Sequence, residues 1–313
     1  MGKLFDLHCR RMDTNQTSNI LPKPLFSRVI AGTMNWGGWG AKFSSQDYLT
    51  MIEKCLEYNV TSFDHADIYG HYTVEEEFGQ AIYGKSSLRQ QIQLITKCGI
   101  KLVSTNRPAH QIKSYDTSYS HIIQSVENSL KNLATTYLDL LLIHRPDPLM
   151  DPEEIAAAFS ILRSQGKVLN FGVSNFNASQ AGLIHSAYPI STNQVEISII
   201  KLSSFTDGTL DHCIKEKITP MAWSPMGGGK FFEEDDDRNK RIKALSQWLG
   251  EKYNVLPEQI LLAWLMKHPS GIRPVLGTAK HERIKLAIEA AALKITREEW
   301  FMLWRASTGR EVA

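Results

Sequence analysis

Residues 60–70 read VTSFDHADIYG, a β-prone run that ends in two aspartates, a histidine and a tyrosine. Other apolar runs end the same way: ITKCG delivers Lys97, LLLIHRPD delivers His144, Arg145 and Asp147, GVSNF delivers Ser174 and Asn175, and TNQVE delivers Asn193, Gln194 and Glu196. Taken singly, such residues cap turns or face water. Together, Asp64, Tyr69, Lys97 and His144 supply a carboxylate, a phenol, an ammonium and an imidazole, the equipment of an acid catalyst. A phenol with a pKa of about 10 is a weak acid near neutrality, and an adjacent ammonium such as Lys97 lowers that value by favouring the phenolate. Asp64 would hold the lysine charged and in place, and His144 would donate a hydrogen bond to a carbonyl oxygen on which negative charge grows. The chemistry these four groups suggest is carbonyl reduction.

For the four to meet, several strands must end on one rim. Strand candidates are RVIAGTM (28–34), TSFDHA (61–66), QLITKCG (93–99), LDLLLIH (138–144), NFGVSN (170–175), TNQVE (192–196), PMAWS (220–224) and RPVLG (273–277). Helical patterns alternate with them, and their limits are well marked. Asp151 before Pro152 and two glutamates reads as an N-cap, a proline at the first helical position and an acidic first turn, and Gly166 closes the same helix. Parallel strands need helical crossovers, and closing the sheet removes its edges, so this alternation predicts an α/β fold, a (β/α)8 TIM barrel. The competing open, doubly wound sheet usually carries GxGxxG after its first strand, and AGTMNWGGWG lacks it. Residues 25–313 are expected to form one such domain. Residues 1–24, with TNQTSN and two prolines, are expected to be a flexible arm.

Composition narrows the classes of function. The 313 residues are 42% hydrophobic and 22% charged, enough to bury a large core, and the net charge of +2 is scattered rather than gathered into a stripe for nucleic acid. The longest apolar run, ILLAWLM at 260–266, is far short of the roughly 20 residues of a membrane span. The amino terminus lacks the pattern of a secretory signal. Cys9, Cys55, Cys98 and Cys213 are far apart with no CxxC pair, which suits free thiols in a cytoplasmic protein and no structural zinc. The spacing within HRPD offers two metal-ligand types without a third or fourth, so no metal is expected.

FDHADIYG, ITKCG, LDLLLIHRPD, GKVLNFGVSNF, NQVE and WSPMGGG resemble, in order and spacing, the motifs of the aldo-keto reductase family, from about Gly32 to about Ala290. The resemblance implies that Tyr69 is the general acid, that Asp64 and Lys97 tune it, and that His144 orients the substrate carbonyl. It implies hydride transfer from a nicotinamide to an aldehyde or ketone, and a cofactor carboxamide held by Ser174, Asn175 and Gln194. Trp223 stands where the family commonly has an aromatic residue under the nicotinamide. His65, where the family often has threonine, and Arg145, directly after the histidine, resemble a bacterial NADP-dependent oxidoreductase subgroup. Some relatives keep the barrel as a nucleotide-binding redox sensor with little turnover, a second reading that the intact set of four residues disfavours.

The remaining candidates surround the cofactor and substrate. WSPMGGGK offers Ser224, Met226 and Gly228 in a loop whose glycines allow backbone amides to approach a pyrophosphate. The acidic run after it, EEDDD, either caps the next helix or covers the cofactor as a lid; capping is favoured. Thr278, Lys280 and Arg283 lie at a helix amino terminus suited to an adenosine 2′-phosphate, which points to NADPH. Trp36, Trp39 and Tyr72 are candidates to line an apolar mouth for a small-molecule carbonyl substrate. Arg145 either pairs with a local acid or faces the rim and favours an anionic carbonyl compound; pairing is the favoured expectation.

Overall fold

The computed structural model describes residues 25–233 and 236–313; the arm at 1–24 lies outside the described residues. Its strands in chain order are β1 (Ile30–Gly32), β2 (Ser62–Asp64), β3 (Gln93–Cys98), β4 (Ile100–Lys101), β5 (Ser114–Tyr115), β6 (Leu140–Ile143), β7 (Phe171–Ser174), β8 (Thr192–Glu196), β9 (Thr219–Trp223) and β10 (Arg273–Leu276). Eight of them close into a parallel barrel in the order β1-β10-β9-β8-β7-β6-β3-β2, each of the eight overlapping a strand read from the sequence. β4 and β5 form a separate antiparallel pair in the loop after β3, and two-residue strands of this kind leave too little pattern for sequence reading to find.

Helices between the strands begin where side chains can satisfy their first amides. Asp151 accepts from Glu153 N ahead of Pro152–Ser164. Ser44 with Asp47, Asn177 with Gln180, and Thr296 with Glu299 form reciprocal capping boxes. Gly166 takes the left-handed conformation, at a φ of 69°, just beyond the helix that it was expected to close. The carboxy-terminal helix Arg297–Thr308 was not read from the sequence. It docks through a stacked pair, Trp264 and Trp300, with ring centroids 5.2 Å apart, in which each indole N–H donates to the other residue's carbonyl at 3.1 Å.

Side-chain alternation on the barrel strands decides what reaches the mouth. Ile30, Ile95, Leu140, Leu142, Met221 and Val275 pack together as the inner core. Their sequence neighbours Ala31, Leu94, Leu141, Ile143 and Leu276 join the outer core against the helices. With a period of two, Lys97 falls on the inner face after Ile95, His144 after Leu142, and Trp223 after Met221. Phe63, Phe171 and Val173 face outward, so Asp64 and Ser174 also face in. Gly172 is required by this packing, because a Cβ there would lie 2.6 Å from Thr192 O on the neighbouring strand.

Candidate active site

The inward positions at the carboxyl ends of β2, β3 and β6 supply Asp64, Lys97 and His144, and the turn after β2 brings Tyr69 to them. Lys97 is 1% exposed, and its ammonium donates to Asp64 Oδ1 at 2.8 Å, Asp64 Oδ2 at 2.7 Å, His65 O at 2.8 Å and the Tyr69 hydroxyl at 3.2 Å. Asp64, 2% exposed, also accepts from Gln194 Nε2 at 2.8 Å. Buried ions survive only with such pairing and hydrogen bonding. His144 completes the set, its ring edge-on to that of Tyr69 with centroids 6.2 Å apart.

Tyr69 opens a single turn, Tyr69–Tyr72, in which Gly70, His71 and Tyr72 have φ of 60°, 60° and 73°. Two consecutive non-glycine residues in the left-handed region are unusual and must be held there. Thr73 Oγ1 donates to Gly70 O, Asn106 Nδ2 donates to His71 O, and the Tyr72 hydroxyl bonds the backbone of Leu102. The turn is therefore fixed from both sides, which fixes the approach of the Tyr69 hydroxyl to Lys97.

The electrostatics follow from burial first. Desolvation pushes the Tyr69 phenol above its ordinary value; Lys97 pulls it back and Asp64 adds to the rise. Lys97 thus acts in the expected direction, while burial sets the net direction upward. Burial lowers Lys97, yet Asp64 and Tyr69 outweigh it and hold the ammonium above its usual range. His144 is pushed well below the histidine range by burial and then by Lys97 and Arg145, so its ring is neutral at neutral pH. Its Nδ1 is sealed from solvent without a partner. With Nδ1 enclosed, Nε2 is the nitrogen left to serve the site.

The mouth beside these groups carries a second polar set. Ser174 Oγ donates to Gln194 O at 2.9 Å and accepts from Asn175 Nδ2 at 2.8 Å. Asn175, with a φ of 64°, also donates weakly to His144 O at 3.3 Å, and its Oδ1 accepts from Trp223 Nε1 at 2.9 Å. Beyond Trp223, Ser224 is also left-handed, and Gly227, Gly228 and Gly229 have φ of 69°, 63° and 95°. Three such residues in succession require glycine at least where Gly227 packs, since a Cβ there would meet Ile200 at 2.4 Å.

The model of the aldo/keto reductase family matches residues 28–306. The chain belongs to the aldo-keto reductase family. It is 47% identical to the oxidoreductase YcsN of Bacillus subtilis over 92% of this chain and 96% of that one. It is 40% identical to a 6-dehydroglucose reductase of Agrobacterium fabrum, over 92% and 96% of the two chains. Among solved structures, the thermostable aldo-keto reductase Tm1743, in complex with the inhibitor epalrestat, superimposes with a TM-score of 0.74 at 27% identity, over 90% of this chain and 95% of that one.

Within this aldo-keto reductase, the residues expected around a nicotinamide cofactor divide into groups. Ser174, Asn175, Gln194 and Trp223 are linked by hydrogen bonds at the carboxyl end of the barrel, and a hydroxyl, amides and a half-exposed indole are groups of the kind that hold a carboxamide-bearing ring. Met226 packs between the two large cores while Gly228 is exposed at the loop. Thr278 Oγ1 accepts from Lys280 N at 3.1 Å, and Lys280 and Arg283 are exposed at the start of His281–Ala290. Asp236 caps Asp237–Tyr253 by accepting from Asn239 N, which is the capping role favoured for the acidic run.

The expectations for the substrate mouth are corrected in part. Trp36 is 0% exposed, boxed in by Phe43, Tyr48, Phe63 and Phe78, with its indole N–H on Thr278 O. It is a core residue. Tyr72 is tied to Leu102 and faces a different cavity, of about 180 Å³, lined also by Asp67, Glu75 and Arg107. Trp39 remains at the mouth, 38% exposed and edge-on to Tyr69 with centroids 6.2 Å apart. Missed from the sequence was Thr33, whose N–H and hydroxyl both donate to Asp64 O and whose Oγ1 meets His65 Nδ1 at 2.9 Å. Its position at the end of RVIAGTM carried the same strand-end signal as the others.

Proposed function

We propose that this aldo-keto reductase reduces an aldehyde or ketone to an alcohol with NADPH, using Tyr69 as the general acid. The observation that carries the reading is the Lys97 ammonium shared between Asp64 and the Tyr69 hydroxyl, beside a neutral His144 at the open end of the barrel. The bound nicotinamide supplies the hydride to the carbonyl carbon. Ser174 and Asn175 would hold its carboxamide, beside Gln194, whose Nε2 donates to Asp64 Oδ1. His144 donates its Nε2 hydrogen to the carbonyl oxygen and polarises it. Tyr69 gives its proton to that oxygen as charge develops, and the adjacent Lys97 stabilises the phenolate left behind. Because Asp64 keeps Lys97 charged, the cation is in place before reaction begins.

The exposed Lys280 and Arg283 support NADPH over NADH, since two cations at a helix amino terminus suit a 2′-phosphate. Among the described residues, no helix is long and apolar enough to cross a membrane. Two relatives, from Agrobacterium fabrum and Novosphingobium aromaticivorans, are 6-dehydroglucose reductases, so sugar aldehydes are the first compounds to test. The experiment is to follow oxidation of NADPH and of NADH with a panel of sugar and aryl aldehydes. Turnover with at least one aldehyde, faster with NADPH, is expected. No carbonyl-dependent oxidation of either nucleotide would overturn the reading and favour a nucleotide sensor.

A further inference from the structure

The mouth holds a cation that no carboxylate among the described residues neutralises. Arg145 follows His144 at the end of β6 and is half-buried, with neither a hydrogen bond nor an ion pair to the described residues. Its guanidinium lies 5.8 Å from the centroid of the Trp223 ring, on the aromatic residue of the cofactor mouth. The expected pairing with a local acid does not form, because the nearby acids are engaged elsewhere. Asp147 accepts from Thr117 Oγ1 at 3.2 Å and from Leu149 N at 2.9 Å, and Asp64 is bound by Lys97. Glu196, in register with Trp223 on the adjoining strand, makes no ion pair with Arg145.

A partly desolvated guanidinium without a counter-ion has a cost that an incoming anion would relieve. Its planar fork is suited to two oxygens of one carboxylate or phosphate. Its charge is felt at both Tyr69 and His144, which places it within range of any molecule whose carbonyl those residues hold. We propose that Arg145 is a specificity-determining residue that binds an oxyanion of the substrate, so that carbonyl compounds bearing a carboxylate or phosphate are preferred to uncharged ones. The proposal rests on the carbonyl-reductase reading and deepens it.

The test compares kcat/KM within two pairs: 4-carboxybenzaldehyde against its methyl ester, and glyceraldehyde 3-phosphate against glyceraldehyde. Wild type is expected to favour the charged member, Arg145→Met to reduce that preference by roughly tenfold or more, and Arg145→Lys to keep part of it. Raising the salt concentration should erode the preference as well. Loss confined to one pair assigns the site to that oxyanion and overturns it for the other. A preference untouched by Arg145→Met, or absent from wild type, overturns the proposal. Titration of 4-carboxybenzoate against tryptophan fluorescence provides a readout without turnover. If wild type reduces none of the four aldehydes, the reductase reading fails, and equal affinity of wild type and Arg145→Met for that anion would then overturn the role of Arg145 separately.

Discussion

The ammonium of Lys97 lies 3.2 Å from the hydroxyl of Tyr69 and is held there by both oxygens of Asp64. The pair is assembled inside the barrel, where strand alternation sends every second side chain, and its third donor direction is fixed by His65 O. Lys97 therefore has little freedom to follow the phenol, and the turn carrying Tyr69 must come to it. The left-handed residues Gly70, His71 and Tyr72 perform that bend.

Removal of the cation should affect both stability and activity. Lys97→Met leaves the Asp64 carboxylate buried with Gln194 as its remaining side-chain donor. A loss of about 3–5 kcal/mol in unfolding free energy is expected, as for other buried pairs broken on one side. Chemical denaturation would measure it. Lys97→Met combined with Asp64→Leu should recover much of the stability and none of the reductase activity, whereas equal losses in the single and double variants would show that pairing is not the cause.

Much of this geometry was legible in the sequence because strand ends in a barrel are positions of known consequence. The apolar runs, the N-cap Asp151 and the closing Gly166 all signal locally, and the alternation that points Lys97 and His144 inward is a property of the strand alone. What was not legible depends on partners distant in the chain. Trp36 looks like a loop aromatic until Phe63 and Phe78 enclose it, and the pairing expected for Arg145 does not form where Thr117 and Leu149 engage Asp147 and Lys97 engages Asp64. The sign of the Tyr69 shift likewise required knowing how deeply the phenol is desolvated.

Acid stability should report His65. Burial, with Lys97 nearby, pushes this histidine down to about 3, against about 6.5 in an unfolded chain. Between those values the unfolded state binds a proton that the folded state refuses, so this residue makes stability rise with pH, by up to about 1.4 kcal/mol per pH unit. The raised carboxyls of Asp67 and Glu75 act in the opposite sense, so the informative quantity is a difference. Unfolding free energies measured from pH 4.5 to 6.5 should show a slope in wild type greater than in His65→Thr by close to one proton. Parallel profiles would contradict the assignment.

Cofactor choice should depend on the exposed cations at the start of His281–Ala290. Lys280→Ala with Arg283→Ala is expected to weaken NADPH by roughly tenfold or more while leaving NADH within about twofold, the pattern of a lost phosphate contact. Fluorescence titration of both nucleotides measures this directly. Equal weakening of the two would remove the 2′-phosphate role.

The most direct test of the account is Tyr69→Phe, which deletes one hydroxyl and leaves the ring against Trp39 and His144. Parallel measurement of NADPH binding and of aldehyde reduction should give an affinity within about threefold of wild type and a kcat lower by about 10²–10⁴-fold, the range attributed to a general acid. Undiminished turnover in that variant, with nucleotide affinity intact, would contradict the central claim that the Tyr69 phenol delivers the proton.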